Sequence, residues 1–299
     1  MKVAILGGTG FLGINLAEYL KKQGCTPVIF TRRKINNSIY ECRTTDYSVE
    51  DLTEKLKDIT DLIHLAAKRG SQGLISEFHD NEILTQNVYE TCSRLGISNI
   101  VYASSISIYS DKYTLPWNEE DIANPKLMYG VSKMACEYIG NIYSNKRGLY
   151  VKNLRFAHLY GFNEKNNYMI NIFFRRAFNK ETLELNTQSY AKREFLYVKD
   201  AAKAIACALN NSNVSGTFNI GSEEAYTNFE VATIINSIFK NKDNLIIKRP
   251  EEDENIEPSY MKSIKAENEL GFRPDYTFKQ AIEEIYFKMK ELDHVPLLY

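Results

Sequence analysis

The chain has 299 residues, 44% of them hydrophobic and 25% charged, enough for one large α/β unit or a domain of usual size with a smaller one beside it. A net charge of -1 gives no electrostatic reason to expect nucleic acid or an anionic membrane as partner. Five cysteines stand singly, with no Cys-x-x-Cys, and the four histidines (His64, His79, His158, His294) lack ligand spacing, so free thiols in a reducing compartment and no metal site are expected.

Lys2 to Leu6 reads as a buried strand. Its apolar run is too short for a signal-peptide core, and no later stretch has the roughly 18 apolar residues of a membrane span, so a cytoplasmic protein is expected. Phe11 to Gln23 reads as a helix, Pro27 to Phe30 as a strand and Val49 to Lys57 as a helix. Leu62 to Leu65 and Ile100 to Ala103 have strand length, with a helix from about Phe78 to Leu95 between them. A long helix follows from about Leu127 to Tyr143, then a strand from Tyr150 to Phe156. This alternation predicts a doubly wound parallel sheet covered on both faces. After about residue 161 it becomes irregular: a polar stretch surrounds a helix at Met169 to Phe178, the acidic run Glu251 to Glu257 reads as a solvated loop, and a helix from Phe278 to Glu291 closes the chain. The expected division is a dinucleotide-binding part over 1–161 with a returning segment at about 193–222, and a smaller substrate-binding cap from 162–192 and 223–299.

Gly7-Gly8-Thr9-Gly10-Phe11-Leu12-Gly13 joins the first strand to the first helix. Gly7 permits a tight turn, Gly10 lets backbone N–H groups approach a pyrophosphate at the helix N-terminus, and Gly13 allows close helix–strand packing. Where a fold of this kind that prefers NAD carries an acid for the adenosine ribose, about 20 positions on, this chain has Arg32. An arginine suits a 2′-phosphate and so favours NADP over NAD; the alternative is that Arg32 stacks on the adenine or points into solvent.

Tyr129 and Lys133 stand at i and i+4, on one face of the long helix. A phenol is too weak an acid to serve as a base at neutral pH, and a lysine ammonium beside an oxidised nicotinamide would lower its pKa. Upstream, the strand through Ala103 breaks into Ser104-Ser105-Ile106-Ser107, hydroxyls at the strand end where an open α/β sheet presents its ligands.

With these segments the chain resembles the extended short-chain dehydrogenase/reductase family, in particular its nucleotide-sugar epimerases, dehydratases and reductases, over most of its length. The resemblance implies a Rossmann-type fold and a set of roles. Ser105, Tyr129 and Lys133 become the catalytic group. Gly7, Thr9, Gly10, Phe11, Leu12, Gly13, Arg32, Asp46, Tyr47, Leu65, Ala66, Ala67, Arg69 and Asn81 join Tyr129 and Lys133 around the cofactor. Ser105, Ser107, Tyr129, His158 and Arg193 face the substrate, with Arg193 on its diphosphate. Three departures count. Ile106-Ser107 replaces the Asp-Glu pair that dehydratases use, which argues against dehydration. His158 stands where an asparagine is usual, and a C-terminal arginine of the diphosphate grip is not evident; Arg155, Arg175 and Arg176 are candidates to compensate, or, for the last two, helix-surface residues.

The leading expectation is therefore an NAD(P)-dependent nucleotide-sugar 4-epimerase working through a transient 4-keto sugar, with a nucleotide-diphosphate sugar as substrate and a homodimer paired through the helices at 78–95 and 127–143. The alternative is an NADPH-dependent 4-ketosugar reductase using the same residues; a third reading is a non-catalytic NADP-sensing relative.

Overall fold

The glycine turn lies at the middle of a parallel sheet. The computed structural model describes residues 1–70, 73–242, 244–252 and 254–298. Its first half runs β1 (Lys2–Leu6), α1 (Phe11–Lys22), β2 (Thr26–Thr31), β3 (Glu41–Thr44), α2 (Val49–Lys55), β4 (Asp61–His64), α3 (His79–Leu95), β5 (Asn99–Ser105), α4 (Met128–Arg147) and β6 (Tyr150–Phe156). There follow β7 (His158–Tyr160), α5 (Met169–Phe178), β8 (Leu183–Thr187), β9 (Arg193–Tyr197), α6 (Val198–Asn210) and β10 (Gly216–Ile220). The chain ends with β11 (Ala225–Tyr226), α7 (Asn228–Ile238), β12 (Leu245–Arg249), α8 (Ile264–Leu270) and α9 (Phe278–Leu292).

The main sheet has the order β10-β6-β5-β4-β1-β2-β3, and every neighbouring pair is parallel. Chain order reverses at β1, so the turn that leaves β1 opens into the crevice where such sheets take their ligands. Alternation along the strands sorts side chains to two faces. Val3, Ile5, Ile63 and Val101 pack with Leu16 and Leu20 of α1 and the alanines of α6. Ala4, Leu6, Leu62 and Ile100 pack with Leu52, Val88, Tyr89 and Cys136 of α2, α3 and α4. A further core joins Phe173 and Phe174 of α5, Val231 and Ile235 of α7, and Ile282 and Ile285 of α9.

The second half is more regular than its polar composition suggests: the segment expected to return, at about 193–222, forms β9, α6 and β10, and β10 joins the main sheet beside β6. One expectation changes. The acidic run at 251–257 is not simply solvated: the Glu254 carboxylate accepts from the backbone N–H groups of Tyr190 and Ala191, both at 2.8 Å, and from Asn228 at 3.2 Å. It clasps the segment before β9 to the start of α7. Among the described residues no helix is long and apolar enough to cross a membrane.

Candidate active site

The glycine turn is held by contact, not by composition alone. Gly7 has φ +78°, and a Cβ there would lie 2.7 Å from the Ala66 nitrogen, so the strand end after β4 presses directly on the turn. At Gly13 a Cβ would meet the Gly8 Cα at 2.5 Å, which makes the close approach one of helix to turn rather than helix to strand. Gly10 is the N-cap of α1, with no side chain capping it and no acid in the first turn. The free N–H groups at that helix end fit a dinucleotide pyrophosphate. Thr9 and Gly10 are exposed, while Phe11, Leu12, Leu65, Ala66 and Ala67 are half-buried around the same crevice.

On the adenosine side, Arg32 follows β2 directly and is exposed, as are Arg33 and Lys34. Asp46 is exposed too, and its Oδ1 accepts from the Ser48 N–H at 2.8 Å. Tyr47 is buried with φ +64°, its hydroxyl donating to the Phe30 carbonyl at 3.3 Å and its own carbonyl accepting from Asn87 at 3.0 Å. Its side chain is thus committed to the core between β2 and α3 and is not offered to a ligand.

The hydroxyl end of β5 and the first turns of α4 meet above the sheet. The Ser105 Oγ accepts from the Ser107 N–H at 3.1 Å and lies 3.0 Å from the Ser107 Oγ, so two hydroxyls share one short turn. Gly130 sits against that turn: a Cβ on it would fall 2.2 Å from the Ser107 carbonyl oxygen. Only a glycine beside Tyr129 lets α4 come so near. Lys133 is buried, its Nζ donating to the Ala103 carbonyl at 2.6 Å and lying 5.7 Å from the centre of the Tyr129 ring. Asn81 clasps the backbone of Lys68 through both amide atoms, at 2.7 and 3.0 Å, and donates to the Ser132 Oγ at 3.3 Å. It therefore ties the strand end at 65–68 to α4. Arg69 reaches the buried Glu164 at 3.3 Å.

Burial dominates the electrostatics of the tyrosine and the lysine. Burial pushes the Tyr129 phenol up to about 12, and the charge of Arg69 draws it down. Burial also brings Lys133 down to about 8. The lysine donates to the Ala103 carbonyl.

On the substrate side, the His158 Nε2 lies 3.0 Å from the Ser259 Oγ, and burial pushes the imidazole down to about 3, so it is neutral at physiological pH. It can take part in hydrogen bonding but offers a diphosphate no charge. Arg193 donates to the Asn228 Oδ1 at 2.6 Å, while its buried Nε finds no partner among the described residues. An orphan guanidinium donor suits an anionic oxygen. Arg155 does not compensate for the missing arginine: it is buried and forked onto Glu137, with its third nitrogen on Tyr109. Arg176 pairs with Glu184 at 3.0 Å.

Sequence reasoning missed Glu137, Glu164 and Ser259. Glu137 follows Lys133 by the same four residues that separate Lys133 from Tyr129, a signal open to reading. Glu164 and Ser259 are joined to their partners only by the fold.

A parallel sheet with its glycine turn at the switch point, and a serine, tyrosine and lysine gathered at the carboxyl ends of its strands, defines a dinucleotide-dependent enzyme of the short-chain dehydrogenase type. Residues 3–221 match the NAD dependent epimerase/dehydratase family, and the chain belongs to that family, in its extended, nucleotide-sugar branch. The structure is similar to that of a UDP-N-acetylglucosamine 4-epimerase from Bacillus cereus, with a TM-score of 0.92 and 59% identity over 97% of this chain and 99% of the other. A Thermus thermophilus UDP-glucose 4-epimerase in complex with NAD shares the fold, with a TM-score of 0.83 and 23% identity over 97% of this chain and 99% of that one. A dTDP-4-dehydro-6-deoxyglucose reductase from Escherichia coli is 25% identical over 95% of this chain and 96% of its own length.

Proposed function

We propose that the chain is a UDP-N-acetylhexosamine 4-epimerase. The observation that carries this reading is the 59% identity, over nearly the whole chain, to the Bacillus cereus UDP-N-acetylglucosamine 4-epimerase. The side chains support it. Tyr129 takes the proton of the sugar O4 and gives it back, and Ser105 orients that oxygen as it passes between hydroxyl and ketone. Bound nicotinamide would supply the hydride acceptor and donor for C4. Lys133 holds the nicotinamide ribose, the uncapped end of α1 holds the pyrophosphate, and Arg193 takes the substrate diphosphate. Proton NMR of UDP-N-acetylglucosamine incubated with the enzyme should show conversion to the 4-epimer, up to a fixed ratio, with no net consumption of reduced cofactor. Stoichiometric oxidation of NADPH by a 4-keto sugar without any epimer exchange would instead favour the reductase reading, to which Arg32 and the Escherichia coli relative lend support.

For the cofactor, the family is NAD-dependent, and the finer preference rests on Arg32. Exposed at the end of β2 beside Arg33 and Lys34, it suits a ribose 2′-phosphate. Arg32→Ala should weaken NADP binding by about tenfold and leave NAD nearly unchanged. Equal loss for both cofactors, or none, in a fluorescence titration would remove the argument for NADP.

For assembly, α3 and α4 would pair with their copies in a second subunit. Ile83, Leu127, Tyr138 and Ile142 are exposed, so the packing of the single chain does not use them. Sedimentation equilibrium should give a dimer at micromolar concentration, dissociated by Tyr138→Glu with Ile142→Glu; a monomeric parent protein would end this proposal.

A further inference from the structure

Asn228 opens α7, yet the helix does not use its side chain. Thr227 is the cap: its Oγ1 accepts from the Glu230 N–H at 3.2 Å, and the Glu230 carboxylate accepts from the Thr227 N–H at 2.7 Å. The Asn228 amide is buried between two charged groups of opposite sign. Its Oδ1 accepts from the Arg193 Nη2 at 2.6 Å, and its Nδ2 donates to the Glu254 Oε1 at 3.2 Å. A guanidinium only donates and a carboxylate only accepts, so the two together fix which way the amide points. The Glu254 Oε2 is itself anchored, accepting from the N–H groups of Tyr190 and Ala191 just before β9. The Phe195 ring, two residues along the same face of β9, lies 5.3 Å from the Arg193 Cζ and 6.0 Å from the His158 ring. The guanidinium is thus held beside the residues assigned to the substrate, with an Nε that has no partner among the described residues.

We infer that Asn228 is a positioning residue for the substrate diphosphate, with Glu254 behind it: the carboxylate orients the amide, and the amide oxygen holds the Arg193 guanidinium in place. The inference rests on the assignment of Arg193 to the diphosphate under the proposed function. Burial leaves His158 neutral, so beside it the charge that meets a diphosphate comes from Arg193. A free arginine side chain has wide rotamer freedom, and an anion that binds it must first bring it to rest. Asn228 and Glu254 do this before the substrate arrives. A neutral amide in direct contact also leaves the guanidinium its charge, whereas Glu137, forked onto Arg155, cancels the charge it holds. The two buried arginines are therefore fixed by different chemistry, one for packing and the other for a ligand.

The test is calorimetric titration of UDP into the full chain loaded with NAD. Asn228→Ala should weaken UDP binding about tenfold, the scale of a hydrogen bond to a charged group. Glu254→Gln should weaken it about threefold. The glutamine oxygen can still accept from Tyr190 and Ala191, so the clasp on the backbone survives, but its NH2 group meets that of Asn228 and turns the amide's own donor toward Arg193. The sign discriminates here, since loss of a carboxylate acting through charge alone would tighten the binding of a polyanion. In an Arg193→Ala background both effects should vanish, because they act through the guanidinium. With the sugar nucleotide, the loss should appear in KM more than in kcat. Glu254→Gln decides the matter by itself if Asn228→Ala does not fold. Parental affinity in Asn228→Ala, tighter binding in Glu254→Gln, or equal losses with and without Arg193 would overturn the inference. If Arg193→Ala binds UDP as the parent does, the diphosphate assignment falls and the inference with it. A protein that keeps the coupling among the three residues but turns over no sugar nucleotide would count against the epimerase reading alone.

Discussion

Tyr129→Phe should lower turnover by about 10²- to 10⁴-fold while leaving cofactor affinity within about twofold. The substitution removes one oxygen and keeps the ring, which packs against Phe78 at 6.1 Å between centres and beside the Lys133 ammonium. What disappears is the group proposed to exchange a proton with the sugar hydroxyl. The phenol needs help to serve, because burial holds it up at about 12. Lys133→Met should therefore slow turnover too, and should also weaken cofactor binding, since the same ammonium is assigned to the ribose. Ser105→Ala should fall between the two, because the Ser107 hydroxyl 3.0 Å away stands ready to share its role. Steady-state kinetics beside isothermal titration of cofactor for all three variants separates these outcomes, and a fully active Tyr129→Phe protein would refute the mechanism.

Gly130→Ala should be nearly as damaging, although it adds one methyl group to a residue with no chemistry of its own. The new Cβ would lie 2.2 Å from the Ser107 carbonyl and 2.8 Å from the Pro125 Cβ, and the nearer neighbour is backbone that cannot swing aside. Either the turn carrying Ser105 and Ser107 or the start of α4 has to move. The cost in stability is about 1–3 kcal/mol, as for other overpacked sites. The cost in rate is larger, since a shift of about 1 Å between Ser105 and Tyr129 is worth roughly 10²-fold. A Gly130→Ala protein with parental kcat and parental melting temperature would show that the contact is softer than it looks.

The residues that made this site readable in advance are those whose partners lie close in sequence. The glycine turn sits between a strand and a helix that its own glycines dictate, and Tyr129 and Lys133 meet because a helix brings i and i+4 together. β1, β6 and α5 have the bounds read from their apolar runs. The segment at 193–222 was legible as one that returns, but its helix was not, although α6 buries Val198, Ala201, Ala202, Ile205 and Leu209 at helical spacing; alanines bury little area each, and so the stripe is faint. Arg155 was legible as an arginine near the site and illegible as the partner of Glu137, because β6 turns it toward α4 and away from the cleft. The phenol was expected to be drawn down by an ammonium and an oxidised nicotinamide together, and burial works against them, pushing it up to about 12. Desolvation depends on the whole fold, and no local motif reports it.

The position of β10 bears on how the protein comes into being. β6 pairs with β5 on one side and, from Lys152 to Phe156, with β10 on the other, yet some sixty residues of other structure intervene before residues 216–220 are made. Until those residues emerge from the ribosome, β6 is an open edge with a row of unpaired backbone groups, a template for any strand that comes near. Lys152, Asn153 and Arg155 stud that edge, and polar side chains of this kind discourage adhesive pairing. The same three residues end up buried in the finished protein, each with its own hydrogen bonds. Polar side chains inside the sheet would then serve the growing chain as well as the finished one, guarding a seam that stays open until nearly three-quarters of the sequence has been translated.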